Sequence, residues 1–481
     1  MKKKNLIFAA TLLSAFASYA QVDSTAHMLS IDEAMQITLS SNPVINAIKY
    51  EEEAADKERK AALGLYFPQI GVTGAYAFMS DDIAIDLNPV KNQLGEVAGA
   101  LLPVLPPNLQ KPVAGILTGL QGKDMRMVLQ DDNFGVVGAN LKMPIFTGGK
   151  ITAANNASRI KQKEAIAKGD QNKYALVSEL VERYYGLSLS KQVVLLREQV
   201  LEGMKKHLAD AIALEENGMI ARGERLHAQS YEADAVKEYT NAKLFERTLN
   251  TALATTLNQE GESYLPVSSL FMVTDLEDVN YFKQLAVSNN PLVRQVQLKQ
   301  DLAKEGVRLQ RSEFMPQVAV MGVVDLYNHQ LTHYAPKWAI GAGVKLNIFD
   351  GLHREHKYSA AKSTVKQAKA YGEKAENDIQ ALVEKLYNSL QSSAQQIPAL
   401  NTSLEFAKEY LRIKEEAFRE GSATSSDVVD ARLHLAKIQT ERLQAAYNYD
   451  AMLAKLLEAC GQSERFIEYS QRANNQTISF N

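Results

Sequence analysis

Residues 134–146 read FGVVGANLKMPIF and alternate between apolar side chains and small or polar ones. The apolar positions are Val137, Ala139, Leu141, Met143 and Ile145, and the positions between them are Gly138, Asn140 and Lys142. A period of two over about 10 residues is typical of a β-strand whose two faces meet different surroundings. The same length suits a tilted strand that crosses a lipid bilayer. A strand of a water-soluble sheet is the alternative.

A second stretch, residues 338–348, shows the same pattern as WAIGAGVKLNI. Gly341 and Ala342 follow Gly138 and Ala139 by 203 residues, and the later residues of the two stretches keep this spacing. The strands that pair with these two are predicted over about residues 70–78 and 318–327. The sequence therefore predicts two similar pairs of strands.

Other landmarks recur as well. The Asn42-Pro43 pair recurs as Asn290-Pro291, and Phe67-Pro68-Gln69 recurs as Met315-Pro316-Gln317, both after 248 residues. The change of spacing from 248 to 203 indicates one insertion of 45 residues in the first half, between Phe78 and Phe134. Such self-similarity indicates one structural unit used twice. We predict a signal peptide over residues 1–20, repeat 1 over 21–259, an inter-repeat segment over 260–277, repeat 2 over 278–462 and a polar C-terminal tail over 463–481.

Each repeat is predicted to contain a helix, two strands, a long helix, a turn and a return helix. The first helix of repeat 1 is predicted over Pro43–Tyr66, where Pro68 ends it. Between Glu355 and Glu420 the only glycine is Gly372 and the only proline is Pro398. A helix of that length would reach on the order of 100 Å. This length, with apolar residues on one face, indicates coiled-coil packing.

The composition is that of an ordered, exported protein. Residues 1–20 combine three lysines, an apolar stretch and a small-residue cleavage site, as secretory signal peptides do. Without those three lysines the formal net charge goes from −3 to −6, so nucleic acid is not expected as a partner. The only cysteine is Cys460, which excludes an internal disulfide. No later stretch is apolar over about 18 residues, so no transmembrane helix is predicted there.

Four strands cannot close a barrel, and open sheet edges are not tolerated in lipid. If these strands cross a membrane, several chains must therefore share one barrel. Three chains would supply 12 strands, which lies within the known range of membrane barrels.

The chain resembles the TolC-type outer-membrane efflux protein family over about residues 29–462. The motifs that carry the resemblance are LSIDEAMQITLSSNP at 29–43, the junctions FPQI and MPQV, the strand exits PIFTGGK and NIFDG, and GSATSSDVVDA at 421–431. Each motif alone is weak, whereas their order and spacing together are specific. The resemblance implies a mixed α and β membrane protein with long coiled-coil helices in a periplasmic α-barrel. It also implies a four-strand contribution to a 12-stranded outer-membrane β-barrel in a homotrimer.

The same resemblance implies function and partners. The chain would be the outer-membrane channel-tunnel component of a tripartite efflux or type I secretion system. It would act as a passive exit duct for substrates that an inner-membrane pump delivers through a periplasmic adaptor protein. The tunnel would extend into the periplasm, with residues 260–277 in its equatorial region and outer-membrane lipid around the barrel. A secreted or periplasmic helical structural or adhesive protein, without channel activity, is the alternative.

Two acids, Asp427 and Asp430, match paired aspartates that form entrance rings in this family. Threefold symmetry would make six carboxylates from two, and a narrow pore lined by them would attract cations. The alternative is local. An acid in the first turn of a helix is favoured by the helix dipole and by capping. Capping explains Asp427 but explains Asp430 less well, because Asp430 lies a turn further on.

The resemblance also assigns the turns on either side of these acids. Gly218 and Gly421 mark the two tip turns, and Glu224 aligns with an acidic family position. Phe418 and Ala423 stand where known members have a gate tyrosine and a gate arginine, so the familiar gate contacts are missing. The candidate substitutes, as gate or tip contacts, are Arg222, Arg225 and Arg419.

The remaining features do not predict chemistry. The histidine pairs His329 with His333 and His353 with His356 have spacings that suit metal ligands, but we interpret them as surface residues. No phosphate loop or nucleophile motif occurs, so neither an enzyme nor a cofactor is predicted. The apolar, proline-containing insertion is interpreted as a structured extracellular cap, with a lid over the barrel mouth or a docking surface as the functional alternative.

Overall fold

A computed structural model describes residues 26–332 and 335–479. The predicted signal peptide over residues 1–20 lies outside the described residues, as does His333. The described chain forms two compact units. The first, here called the helical unit, comprises residues 26–57, 160–302 and 366–479. The second, here called the strand unit, comprises Glu58–Arg159 and Ala303–Val365.

Helices make up most of the described chain. In chain order they are α1 Ile31–Ser41, α2 Pro43–Leu63, α3 Asn88–Leu101, α4 Pro107–Gln121, α5 Lys150–Glu216, α6 Arg222–Thr256, α7 Val279–Asn289, α8 Pro291–Ser312, α9 His353–Arg419, α10 Ser425–Ala459 and α11 Phe466–Ser470. Short 3₁₀ turns cover Gly64–Tyr66, Leu102–Val104 and Ser463–Arg465. None of the helices in the described ranges combines the length and apolarity that a membrane span requires.

The described strands outside the strand unit span three residues each, whereas those of the strand unit span from four to 14 residues. In chain order the strands are β1 His27–Leu29, β2 Gln69–Phe78, β3 Ile83–Asp86, β4 Arg126–Gln130, β5 Asn133–Phe146, β6 Tyr264–Pro266, β7 Leu270–Met272, β8 Gln317–His329, β9 Trp338–Lys345 and β10 Gln476–Ile478. The strand predicted over 338–348 therefore ends at Lys345, three residues early. Leu346 and Ile348 are exposed there and make no ladder pairs in the described sheet.

The strand unit contains a four-stranded antiparallel sheet in the order β2-β5-β8-β9. Its register aligns the alternating patterns, because Val72 pairs with Ala139 and Val324 pairs with Trp338. One face of the sheet is consequently apolar. This face is exposed in the single chain, where Val72 is 66% exposed and Trp338 is 67% exposed. The opposite face carries small or polar residues such as Gly138 and Asn140. This arrangement is the alternation that the sequence predicted.

The long helices form where glycine and proline are scarce. Helix α9 spans 67 residues, with Gly372 and Pro398 inside it, and α5 also spans 67 residues. Each leads through a short turn into a return helix of 35 residues. In the helical unit these helices share a hydrophobic core in which Val383, Leu390 and Leu453 are fully buried. Their apolar positions recur at helical spacing, so packing follows from the sequence period.

The same local contact is found where the sequence motif Asn-Pro recurs. The side chain of Asn42 donates to the carbonyl of Thr256 at 2.8 Å, and the side chain of Asn290 donates to the carbonyl of Ala459 at 2.8 Å. Each asparagine oxygen also accepts the backbone N–H two residues later, at 2.9 Å in both cases. The asparagine of each Asn-Pro pair is thus hydrogen-bonded to the C-terminal end of a return helix.

The C-terminal segment, predicted from the sequence as a polar tail, contributes to the helical unit. Residues 463–478 fold into a 3₁₀ turn, α11 and β10, and β10 pairs antiparallel with β7. Phe466, Tyr469 and Ile478 are completely buried in the helical unit. The segment is polar on average, but these side chains are spaced so that they fill the core. An average over composition hides such a contribution.

Candidate functional site

Two short turns, residues 217–221 and 420–424, connect the long helices to the return helices; we call them the paired turns. Gly218 and Gly421 both have φ of +73°, a left-handed conformation that favours glycine. In each turn the glycine N–H bonds back three residues and the next N–H bonds back five, from Met219 to Leu214 and from Ser422 to Ala417. This pattern is a Schellman motif, which satisfies the last carbonyls of a helix. The tip glycines predicted from the sequence thus end their helices.

Helix α10 begins with a capping box that includes Asp427. Thr424 is the N-cap; its hydroxyl accepts the N–H of Asp427, and the Asp427 carboxylate accepts the N–H of Thr424 at 2.9 Å. Lys414 of α9 donates to the same carboxylate at 2.8 Å. The bond from Lys414, followed by those from Thr424, holds the pKa of Asp427 well below its ordinary value. Asp427 therefore has the capping role that the sequence offered as the alternative, although at the third helical position.

Asp430 has different surroundings, although it lies only three residues further along α10. Its side chain is exposed, and no hydrogen bond or ion pair of Asp430 occurs within the described ranges. A carboxylate without a partner keeps its full charge toward solvent. The structure thus distinguishes the two acids that the sequence treated as a pair.

Glu224 joins the two return helices where they begin. Its carboxylate accepts the backbone N–H of Ser425 at 2.9 Å, so the first turn of α6 contacts the first turn of α10. The N–H groups of a helix start lack partners within the helix, and a carboxylate there is stabilised by them. The sequence resemblance singled out Glu224 but did not predict this contact.

A buried histidine contacts the side chain of the same residue, Ser425. His207 of α5 is 4% exposed, and its Nε2 lies 2.7 Å from Oγ of Ser425, whose side chain is also buried. Nδ1 of His227, from α6, lies 3.5 Å from the same oxygen. Burial is the main cause that lowers the pKa of His207 to about 4, so the ring is neutral near pH 7. We refer to His207, Ser425, His227 and Glu224 as the turn cluster.

Of the turn cluster, only Glu224 was predicted from the sequence as a site residue. A signal for His207 is nevertheless present, because it lies at helical spacing between Met204 and Ala211, which are both buried. A histidine in an apolar stripe requires a polar partner. The partner, Ser425, is 218 residues away, and nothing local points to it.

The two positions where known members have gate residues contribute to a small core. Phe418 is 2% exposed and packs with Ala211, Ala228 and Val428. Its ring centre lies 4.6 Å from that of His207. Ala423 packs against the same cluster. Phe418 and Ala423 therefore hold the paired turns together within one chain.

The candidate arginines have separate surroundings. Arg225 pairs with Glu215, and Arg419 lies 3.6 Å from Asp210. Arg222 is exposed, and the structure gives it no ion pair in the described part of the chain. A fourth arginine, Arg432 of α10, is mostly buried and pairs with Glu415 of α9. The sequence did not point to Arg432.

The histidine pairs do not form a metal centre in the part of the chain that the structure describes. His329 is exposed at the end of β8, and His353 and His356 lie in the first turn of α9. No group of three or more metal-ligating side chains occurs among the described residues.

Comparison with known proteins identifies the class of this architecture. The chain is similar to the outer membrane protein VceC from Vibrio cholerae, with a TM-score of 0.68 at 15% identity over 90% of this chain and 96% of that one. It is also similar to the CmeC outer membrane channel of Campylobacter jejuni, with a TM-score of 0.68 at 15% identity over 92% of this chain and 89% of that one. The fold is therefore that of outer-membrane channel proteins.

Sequence comparison identifies the family. Residues 117–259 and 283–462 match the model of the family described as outer membrane efflux protein. The outer membrane efflux protein BepC of Brucella suis biovar 1 (strain 1330) is 20% identical over 334 residues, which are 68% of this chain and 72% of that protein. The chain belongs to the outer membrane efflux protein family. The family, the outer-membrane location and the role as a channel component of an efflux system, all predicted from the sequence, are confirmed. The family is one of transport channels and not of enzymes.

Proposed function

We propose that three copies of this chain assemble into one efflux duct with a shared 12-stranded barrel. The observation that carries this proposal is the four-stranded sheet, which has an apolar exposed face and, among the described strands, unpaired outer edges on β2 and β9. Unpaired backbone groups are costly in lipid, whereas pairing β9 of one copy with β2 of the next satisfies them. The apolar face would then contact lipid and the small-residue face would line the lumen.

The helices would form the periplasmic tunnel of this duct. In each copy α5 with α6 and α9 with α10 supply two long helices and two return helices. The matching contacts of Asn42 and Asn290, and the matching Schellman turns at Gly218 and Gly421, support two repeats at 21–259 and 278–462. Residues 260–277, which contribute β6 and β7, would belong to the equatorial region. Two repeats in three copies would give a pseudo-sixfold wall.

The paired turns would lie at the periplasmic entrance, and Asp430 would supply its charge. Asp430 is exposed and has no partner in the described chain, whereas Asp427 is engaged by Lys414 and Thr424. Three Asp430 carboxylates around one axis would attract cations and repel anions. The exposed Arg222 on the neighbouring turn is the candidate contact between copies.

The partners of the duct would be a periplasmic adaptor protein and an inner-membrane pump. Among the described residues no group of three or more metal-ligating side chains occurs. A passive duct needs no substrate-specific chemistry, because the pump selects the cargo. The same architecture would serve a tripartite efflux system or a type I secretion system.

The test is to purify the protein from outer membranes in mild detergent and to record from planar bilayers. We expect a heat-sensitive trimer on a gel and a stable ion conductance. A monomer that stays in solution without detergent and gives no conductance would instead support the secreted structural or adhesive alternative.

A further inference from the structure

We propose that the insertion forms a helical hairpin, α3–α4, that packs against the same hairpin of neighbouring copies and narrows the extracellular mouth of the duct. The inference rests on the proposed trimer. It concerns the segment between β2 and β5, which has no counterpart between β8 and β9. The hairpin has an apolar surface that is exposed in a single copy, and we infer that another copy of the chain covers it.

Each helix of the hairpin has an apolar stripe that is left uncovered. The stripe on α3 comprises Val90, Leu94, Val97 and Leu101, and the stripe on α4 comprises Leu109, Val113, Ile116 and Leu120. Both stripes follow the spacing i, i+4, i+7 and i+11, which averages about 3.7 residues, close to the helical period, and is typical of a helix face that packs against another helix. Leu94 and Ile116 are both 64% exposed, so the contact between α3 and α4 does not cover them.

One end of each stripe borders a groove between the two helices. The groove has a volume of about 380 Å³ and is lined by Val90 and Leu94 of the α3 stripe, by Leu120 of the α4 stripe and by the neighbouring Leu117. Because residues of both helices line it, the groove can accept side chains from a facing helix.

The hairpin is an ordered extension of the sheet. β3 and β4 pair antiparallel at its base, and the N–H of Asp132 donates to the Asp82 carboxylate at 2.8 Å. Gln130 bonds to the loop that joins β8 and β9, donating to the carbonyl of Gln330 at 2.7 Å. The hairpin is therefore held at the end of the strands opposite to the ends that lead into helices.

Composition and exposure both favour a second copy of this chain as the occupant. Between Leu87 and Gln121 the charged residues are Lys91, Glu96 and Lys111, so the stripes meet little charge repulsion when identical hairpins approach. Seven of the eight stripe residues are 44–64% exposed in one copy, and packing between copies would remove these apolar side chains from water. A shared barrel already brings identical hairpins around one axis, and closed symmetry would use the same surface in each copy.

Cysteine cross-linking tests this packing in the full-length protein. Cys460 is completely buried, so a variant with Cys460→Ala and Leu94→Cys carries one accessible thiol. We expect a short bismaleimide to join two of the three copies into a covalent dimer. The matched control is Thr118→Cys, which lies on the exposed opposite side of α4, and it should stay monomeric on a denaturing gel.

The second variant replaces Leu94 and Ile116 together with glutamate. Because both side chains are mostly exposed in one copy, each hairpin should keep its fold. The carboxylates should separate the hairpins, so the trimer should persist while its conductance rises above that of the wild type. An intact trimer in which Leu94→Cys is not cross-linked overturns the hairpin packing alone, whatever else covers the stripes. Loss of every trimer, in the wild type as well, overturns the proposed function and this inference with it.

Discussion

Asp427 and Asp430 show how much two acids on one helix can differ. Asp427 completes a capping box and pairs with Lys414, so its charge is already balanced within the chain. Asp430 faces solvent one turn later, with no partner in the described ranges. Charge in a pore acts on passing ions only to the extent that it is not neutralised nearby. In the proposed duct the entrance charge would therefore come from Asp430, whereas Asp427 stabilises the start of α10.

Single substitutions should separate these two roles. Asp430→Asn should weaken the cation preference of the channel and leave stability unchanged, because the side chain has no partner to lose. Low salt should enlarge the effect, since the Debye length is about 10 Å at 0.1 M. Asp427→Asn should instead loosen the turn, because the ion pair with Lys414 is lost. Reversal potentials in planar bilayers measure the first effect, and hydrogen exchange near the paired turns measures the second. Equal loss of selectivity in both variants would contradict this assignment.

His207 should make the turn cluster sensitive to pH. It faces His227 and Glu224 of α6, Arg432 of α10 and Asp210 of its own helix. Its pKa of about 4 lies below the ordinary value of 6.5, so the folded state resists protonation. The contribution of the neutral His207 ring to the free energy of unfolding is therefore complete above about pH 6.5. This contribution is lost as the pH falls toward 4. The loss should be about 2 kcal/mol at pH 5 if no other group compensates.

The measurement is hydrogen exchange of the paired turns at pH 7.5 and pH 5, corrected for intrinsic exchange rates. We expect extra opening at pH 5 in the wild type. His207→Gln keeps a polar partner for Ser425 but cannot titrate, so its opening should depend much less on pH. His434→Gln, at an exposed histidine of α10, is the control and should behave as the wild type does. A pH response that persists in His207→Gln would assign the effect to another group.

The paired turns are the elements that set the length of each long helix. Helices α5 and α9 both end in Schellman motifs, and the glycine of each motif has φ of +73°. An L-residue with a β-carbon disfavours that conformation by roughly 1–2 kcal/mol. The turn position is thus determined by a single glycine in each repeat.

Gly421→Ala should therefore destabilise its turn by about 1 kcal/mol. Space is not the reason, because nothing lies within 4 Å of a β-carbon built on Gly421. Gly223→Ala is the matched control: this glycine lies in the first turn of α6, and a β-carbon there also has open space. The control should be neutral or slightly stabilising, because alanine favours a helix. Chemical denaturation and exchange at the turn measure both; equal destabilisation would rule out backbone strain as the cause.

The four-stranded sheet, and with it the proposed barrel, should form without the hairpin. The pairing of β2 with β5 continues to Phe78 and Asn133, where the N–H of Met79 donates to the carbonyl of Asp132 at 2.6 Å. The sheet is therefore complete without α3 and α4. In the second half β8 and β9 are joined by a short loop, so the fold does not require an insertion between strands.

Deleting Ile83–Gln130 and joining Asp82 to Asp131 should leave membrane insertion and trimerisation intact. The conductance should rise, because the proposed hairpins at the mouth are gone. Heat-sensitive trimers on gels and bilayer recordings, each beside the full-length protein, measure the two outcomes. A deletion variant that aggregates or stays monomeric would show that the hairpin is part of the scaffold.

Features that depend on neighbouring residues could be predicted from the amino-acid sequence alone. Period two predicted β5 and the start of β9, the scarcity of glycine and proline predicted α9, and Gly218 and Gly421 predicted the turns. These features follow from backbone propensity and from side-chain alternation over a few residues. The order and spacing of the motifs then identified the family and its function.

Contacts between side chains that are distant in sequence could not be predicted in this way. His207 and Ser425 lie 218 positions apart, and Glu224 contacts Ser425 from 201 positions away. The buried role of Phe466 and the early end of β9 likewise depend on neighbours that are distant in sequence. Asp427 differs from Asp430 because Lys414 comes from another helix. Packing brings such residues together, and no local pattern encodes which distant partner each side chain will meet.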